Sequence, residues 1–166
     1  MSETAAPDLA ALARDVLDGV RYVVLGTIDE DGRTRTSPVY FTPHGYQHLY
    51  WVSHPETHHS HNLVRDDRVS GVVFDSTVAP GAGRAVYVTG TARRIPDDEL
   101  EAHLPVAFDP EGRGGRAFAA EELVGDGDGD LELWVLDVAT WEVHIGAGHP
   151  LLGIGRDRRV PVDPRV

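Results

Sequence analysis

The run Tyr22-Val23-Val24-Leu25-Gly26-Thr27-Ile28, halted by Asp29-Glu30-Asp31-Gly32, constrains the fold more than any other stretch. Seven apolar and β-branched residues read as a strand. An Asp-Gly pair just after them is a strong hairpin signal, because the tight turn needs a positive φ that glycine adopts freely. The chain must then double back, and a second strand is predicted from about Arg33 to Thr42. A turn at Pro43-His44-Gly45 leads to a third, Gln47 to Val52. Three strands in sequence joined by short turns make an antiparallel meander.

Further strands are predicted at Val69 to Asp75, Ala85 to Arg94, Leu131 to Val138 and Trp141 to Ile145. Val86 and Val88 alternate with Tyr87 and Thr89 and run into Gly90, the pattern of a strand with one inward face and a tight bend. So many short strands on a core this small favour closure over a flat sheet. The predicted fold is mainly β, a barrel with short flanking helices. Leu9, Leu12, Val16, Leu17 and Val20 share one face of an opening helix within residues 1–20. Ser53 followed by Glu56 is a capping-box pattern, with Pro55 tolerated in the first turn, and predicts a short helix from there to Arg65. Asp97 to Glu122 reads as a helical excursion broken by the glycines between Gly112 and Gly115, and 146–166 as an irregular tail. No repeat or linker divides the 166 residues, so one domain, 1–166, is expected.

Composition narrows the chemistry. There is no cysteine, which excludes disulfides, thiolate metal sites and cysteine nucleophiles. All 15 basic residues are Arg, so no Schiff-base lysine exists. With 27 acidic residues the net charge is −12, which repels a phosphate backbone and argues against nucleic-acid binding. The N-terminal stretch has neither a basic start nor a long apolar run, and the expectation is a cytoplasmic protein without a membrane span. No Ser-His-Asp or paired-carboxylate spacing stands out. Gly125 to Asp130 alternates Gly and Asp like the first half of a calcium loop, but Leu131 stands where that loop needs glycine, and an acidic loop is the simpler reading. His54, His58 and His61 would share a face if one helix ran through them, which is metal-ligand spacing, yet Pro55 stands directly after His54 where the H-E-x-x-H zinc motif has its Glu, and no metal is expected.

Three stretches in order resemble the pyridoxamine 5'-phosphate oxidase-like, FMN-binding split-barrel family: Val24 to Val39, then Leu49 to Ser53 with Thr57 to Leu63 and Asp66 to Val69, then Arg84 to Ala92. The resemblance implies a split β-barrel, a homodimer with a cofactor site at its interface, and FMN as cofactor. It places Thr36, Ser37, Pro38, Val39 and Tyr40 beside the flavin ring, and Ser53 and His54 near the ring or ribityl chain. Thr57, His58 and His59 fall at the phosphate-binding step, where a helix start offers free N–H groups to an anion, and Asn62 is implied as a further cofactor-binding residue. Trp141 is the implied aromatic from the last strands of the partner chain.

The implied function is a flavin-dependent oxidoreductase acting on a small molecule. Alternatives on the same fold are a deazaflavin-dependent reductase and a non-enzymatic flavin or haem carrier. This chain carries His58 and His59 where the family pattern has Arg or Lys, and it lacks a clear Arg-x-His substrate clamp. A neutral imidazole is worth roughly half of a charge-assisted donor, so the expectation is weaker phosphate binding that strengthens below about pH 6.5.

Overall fold

The structure, a computed structural model, describes residues 8–108, 115–123 and 131–166. Helix α1 (Leu9–Gly19) opens on Asp8, whose carboxylate accepts the Ala11 N–H, and it buries Ala13, Val16 and Leu17. The apolar face expected from the sequence therefore seats the helix on the barrel.

Eight strands form one antiparallel sheet: β1 (Tyr22–Ile28), β2 (Thr34–Tyr40), β3 (Thr42–His44), β4 (His48–Ser53), β5 (Arg68–Phe74), β6 (Ala85–Arg94), β7 (Glu132–Ile145) and β8 (Arg158–Val162). Their order is β2-β1-β5-β6-β7-β4-β3, with β8 beside the far half of β7. The sheet curls into a split β-barrel whose interior holds Val23, Leu25, Phe41, Leu49, Trp51, Val73, Val86, Trp134, Leu136 and Val143. The β1–β2 turn is the Asp-Gly hairpin the sequence announces: Asp29 N–H donates to Arg33 O, and Gly32 has φ +81°.

A second apolar layer lies on the other side of β4 and β7, where Tyr50, Leu133 and Val135 meet Leu100 and Ala107 of α3 (Leu100–Ala107), Phe108 and Leu123. Burial of both faces explains the near-continuous apolar runs of these two strands.

Four expectations need correction. The second predicted strand breaks at Phe41 into β2 and β3. The last two predicted strands are one: β7 continues through Ala139 and Thr140, its register with β6 shifting at Thr89/Gly90 instead. The tail is not irregular throughout, since Arg158 to Val162 pair with Trp141 to Ile145. The capping box at Ser53 does not form, because Ser53 ends β4 opposite Glu132; helix α2 (His58–Arg65) is capped instead by Thr57, four residues after Ser53. Residues 109–114 and the Gly125 to Asp130 run lie outside the described residues. Among the described residues no helix is long and apolar enough to cross a membrane.

Candidate cofactor-binding site

Two elements that sequence places about twenty residues apart meet at one end of the barrel. Among the described residues strand β2 is the terminal strand of the sheet, hydrogen-bonded to β1 alone, so its second edge carries unpaired backbone groups. Helix α2 packs against the β1–β2 hairpin, and side chains fix the two together. Asn62 Nδ2 donates to Thr27 Oγ1 at 3.0 Å and to Asp29 Oδ1 at 2.7 Å, while Arg35 donates to both oxygens of the same carboxylate. Hydrogen bonds from Arg35, then Asn62, hold the Asp29 carboxyl down to about 2, so it stays ionised at neutral pH.

The start of α2 is a compact polar knot. Thr57 Oγ1 accepts the Ser60 N–H and lies 2.9 Å from Ser60 Oγ, which in turn donates to His54 O. Ser53 Oγ stands 2.6 Å from His59 Nε2 and 3.2 Å from Thr57 Oγ1. His59 is only 9% exposed, and burial, then the neighbouring His58, lowers its pKa from 6.5. The ring is therefore a neutral partner of Ser53. His58 is exposed, and His54 accepts the Glu56 N–H on Nδ1. Asn62 is buried and turned toward the hairpin.

This donor set fits a phosphate group on one face. The first-turn N–H groups of His58 and His59 have no acceptor among the described residues, and the exposed His58 ring stands beside them. The nearby guanidinium groups are already engaged: Arg35 with Asp29, Arg65 with Ile28 O, and Arg68 with Asp66. Of the two imidazoles expected at this step, one faces outward and the other is part of the knot.

The β2 residues divide by face. Val39 enters the barrel core, while Thr36 and Pro38 are exposed on the outer side and Ser37 is half-buried. Thr36 lines a shallow groove of about 200 Å3 with Gly26, Ser70, Val72, Thr89 and Thr140. Pro38 lines a larger one of about 680 Å3 with Tyr22, Val24 and Phe74. The Tyr40 ring stacks on Phe108 and meets Tyr22 edge-on. Trp141 is buried in the protomer's own core, its indole N–H donating to Tyr46 O at 2.9 Å. Sequence reasoning missed Thr27, Asp29 and Arg35, the residues that hold α2 in place. The only sequence signal for them was the hairpin that carries all three.

A curled antiparallel sheet with an open terminal strand and a polar helix start beside it defines a split β-barrel. The model of the pyridoxamine 5'-phosphate oxidase family matches residues 9–145, and the chain belongs to that family. Among solved structures it is similar to a haem-binding protein from Mycobacterium smegmatis, with 24% identity over 95% of this chain and a TM-score of 0.66; it spans 60% of that protein's length. It is also similar to an F420 reductase, with 18% identity, 77% of this chain and 94% of that one covered, and a TM-score of 0.55. A third is a Clostridium acetobutylicum protein related to general stress protein 26, with 11% identity, coverage of 95% and 97%, and a TM-score of 0.61. No curated protein sequence matches the chain.

Proposed function

We propose that the protein is a flavin-dependent oxidoreductase that works as a homodimer, with FMN held between the open edge of β2 and the start of α2. The observation that carries this reading is the coupling of those two elements by Asn62, Asp29 and Arg35. It fixes a row of free backbone groups and a pair of free helix N–H groups in one rigid frame. In that frame Thr36 to Tyr40 offer backbone donors and acceptors to a planar ring, and His58 and His59 offer N–H groups to its phosphate. A bound flavin would supply the redox chemistry, and the chain would supply orientation and exclusion of water.

The exposed outer face supports the dimer. Tyr22 is 57% and Phe74 45% exposed, and with Val24, Pro38 and Val72 they leave an apolar surface beside the proposed ring site. A second copy laid on this face would cover it and close the cofactor cleft.

A second reading rests on charge. The engaged arginines and the neutral His59 leave the helix start without a committed cation. Such a site suits a singly charged phosphodiester, as in a deazaflavin cofactor, better than a dianionic monoester. The similarity to an F420 reductase agrees with this reading.

Fluorescence titration with FMN, riboflavin and a deazaflavin separates the readings. The flavin oxidoreductase predicts micromolar quenching of FMN, weaker quenching of riboflavin, and turnover of the bound flavin by a reductant. His58→Ala should weaken FMN binding, since it removes the exposed imidazole beside the free N–H groups of the helix start. Quenching of the deazaflavin alone supports the second reading, and a bound flavin or haem that no donor reduces would make the protein a carrier.

A further inference from the structure

A second cavity, of about 600 Å3, opens at the end of the barrel opposite α2. Its walls are the β5–β6 connection at Gly81 to Arg84, the β7–β8 connection from Gly146 to Pro150, His144, Asp157, and Leu12 of α1. Helix α2 leads into β5 at Arg68, which pairs with Thr91, whereas the cavity borders the other ends of β5 and β6, where Phe74 pairs with Ala85. The cavity is therefore remote from the start of α2, while Arg84 stands between it and the groove lined by Pro38.

The cavity wall is built rather than loose. His149 N–H donates to Gly146 O at 3.0 Å, Gly153 N–H to His149 O at 2.8 Å, Ala147 N–H to Asp157 Oδ1 at 2.8 Å, and Arg158 to Leu152 O at 3.0 Å. The N–H groups of Leu151 and Leu152 both donate to His149 Nδ1, at 3.2 and 3.1 Å. An Nδ1 that accepts twice carries no proton, so this imidazole is held as the Nε2–H tautomer with a donor edge left over. The side chains of Arg84 and His144 line the same space and have no hydrogen-bond or ion-pair partner among the described residues. The lining carboxylate, Asp157, already accepts a backbone N–H. The cavity thus sets an unengaged guanidinium and two imidazoles against one carboxylate, Asp157, which is bonded to the Ala147 N–H.

We infer that this cavity is a binding site for a small oxyanion-bearing metabolite, its phosphate or carboxylate held by Arg84 and the His149 Nε2–H, its apolar part against Leu12. A volume of this size accepts a ligand up to about that of a nucleotide. A guanidinium fork with an imidazole donor is the donor set that planar and tetrahedral oxyanions require.

Calorimetric titration of the full chain with inorganic phosphate, with succinate and with neutral glycerol tests it, followed by the ring resonances of His149 and His144. Saturable binding of phosphate identifies a phosphate ligand, and binding of succinate a carboxylate; glycerol should not bind. Arg84→Ala should weaken the binding about tenfold or more, and Arg84→Lys should restore part of it. His58→Ala should leave it unchanged, and His149→Ala, in a residue that lines this cavity but not the Pro38 groove, should weaken anion binding and leave flavin binding unchanged, which keeps this site distinct from the proposed cofactor cleft. Absence of saturable binding by either anion, or binding that survives Arg84→Ala, would overturn the inference.

Discussion

Asn62 and Asp29 are joined by a 2.7 Å hydrogen bond that ties α2 to the β1–β2 hairpin across 33 positions of sequence. Both ends are constrained: the same Nδ2 serves Thr27, which is buried, and the same carboxylate is gripped by Arg35. The bond is a mechanical link between the two halves of the proposed cofactor cleft, and the helix cannot shift without breaking it.

Asn62→Ala should therefore cost more than a surface change. It strands the buried Thr27 hydroxyl and removes one of the bonds on the Asp29 carboxylate, and a lost buried partner costs about 1–3 kcal/mol. Urea unfolding should show a drop of that size. Flavin affinity should fall beyond what stability explains, because the two halves of the cleft are no longer held in register. A variant as stable and as flavin-competent as the wild type would show that the link is dispensable.

His59 sets an acid limit on the fold. Its pKa lies below 6.5 in the folded protein because burial disfavours the charged ring. The unfolded chain then binds the proton more readily. The stabilisation is complete above 6.5 and is lost as the pH falls through the lowered folded value. The wild-type unfolding midpoint should decline as the pH falls below 6.5, and His59→Gln, which keeps a polar side chain but cannot titrate, should flatten that decline. Ser53→Ala should lower stability at all pH values by about 1–3 kcal/mol, since it leaves the buried imidazole without its 2.6 Å partner.

Gly90 is confined by its neighbour strand. It sits at the register shift between β6 and β7, and a Cβ there would overlap the carbonyl oxygen of Asp137. Gly90→Ala must push the two most extensively paired strands apart, and a loss of about 3 kcal/mol is expected, at the upper end for overpacking. Gly19, at the end of α1, has open space where its Cβ would go, so Gly19→Ala should be neutral or slightly stabilising. Thermal melts of the pair separate a steric requirement from a general intolerance of substitution.

What could be read from sequence follows the range of the forces involved. Strand β6 falls where alternation places it, Ala85 to Arg94, and α1 falls where its apolar face predicts, because both patterns are local. Strand β8 was illegible: Arg158, Arg159 and Pro161 carry no β signal, and the segment is a strand because β7 offers it an edge. The cap of α2 was misplaced for a similar reason, since pairing of Ser53 with Glu132 holds Ser53 in β4 and passes the capping role to Thr57. The histidine-rich stretch was visible as the candidate site. That His59 turns inward to Ser53 while His58 stays outside depends on how α2 sits on the barrel, and no spacing rule carries that information.

In the proposed dimer the outer face of the sheet is the interface. Val72 lines the shallow groove between Gly26, Thr36 and Tyr87, flanked by the exposed rings of Tyr22 and Phe74. A charge placed there would have to be desolvated in any dimer that uses this face, at a cost of several kcal/mol, yet would remain in water in a monomer. Val72→Asp should therefore elute from size exclusion as a monomer, keep its strand content by circular dichroism, and lose flavin binding together with the dimer. The wild type should elute at twice the mass of one chain. A Val72→Asp protein that remains dimeric would move the interface elsewhere, and a monomeric variant that still binds flavin tightly would place the cofactor within one protomer.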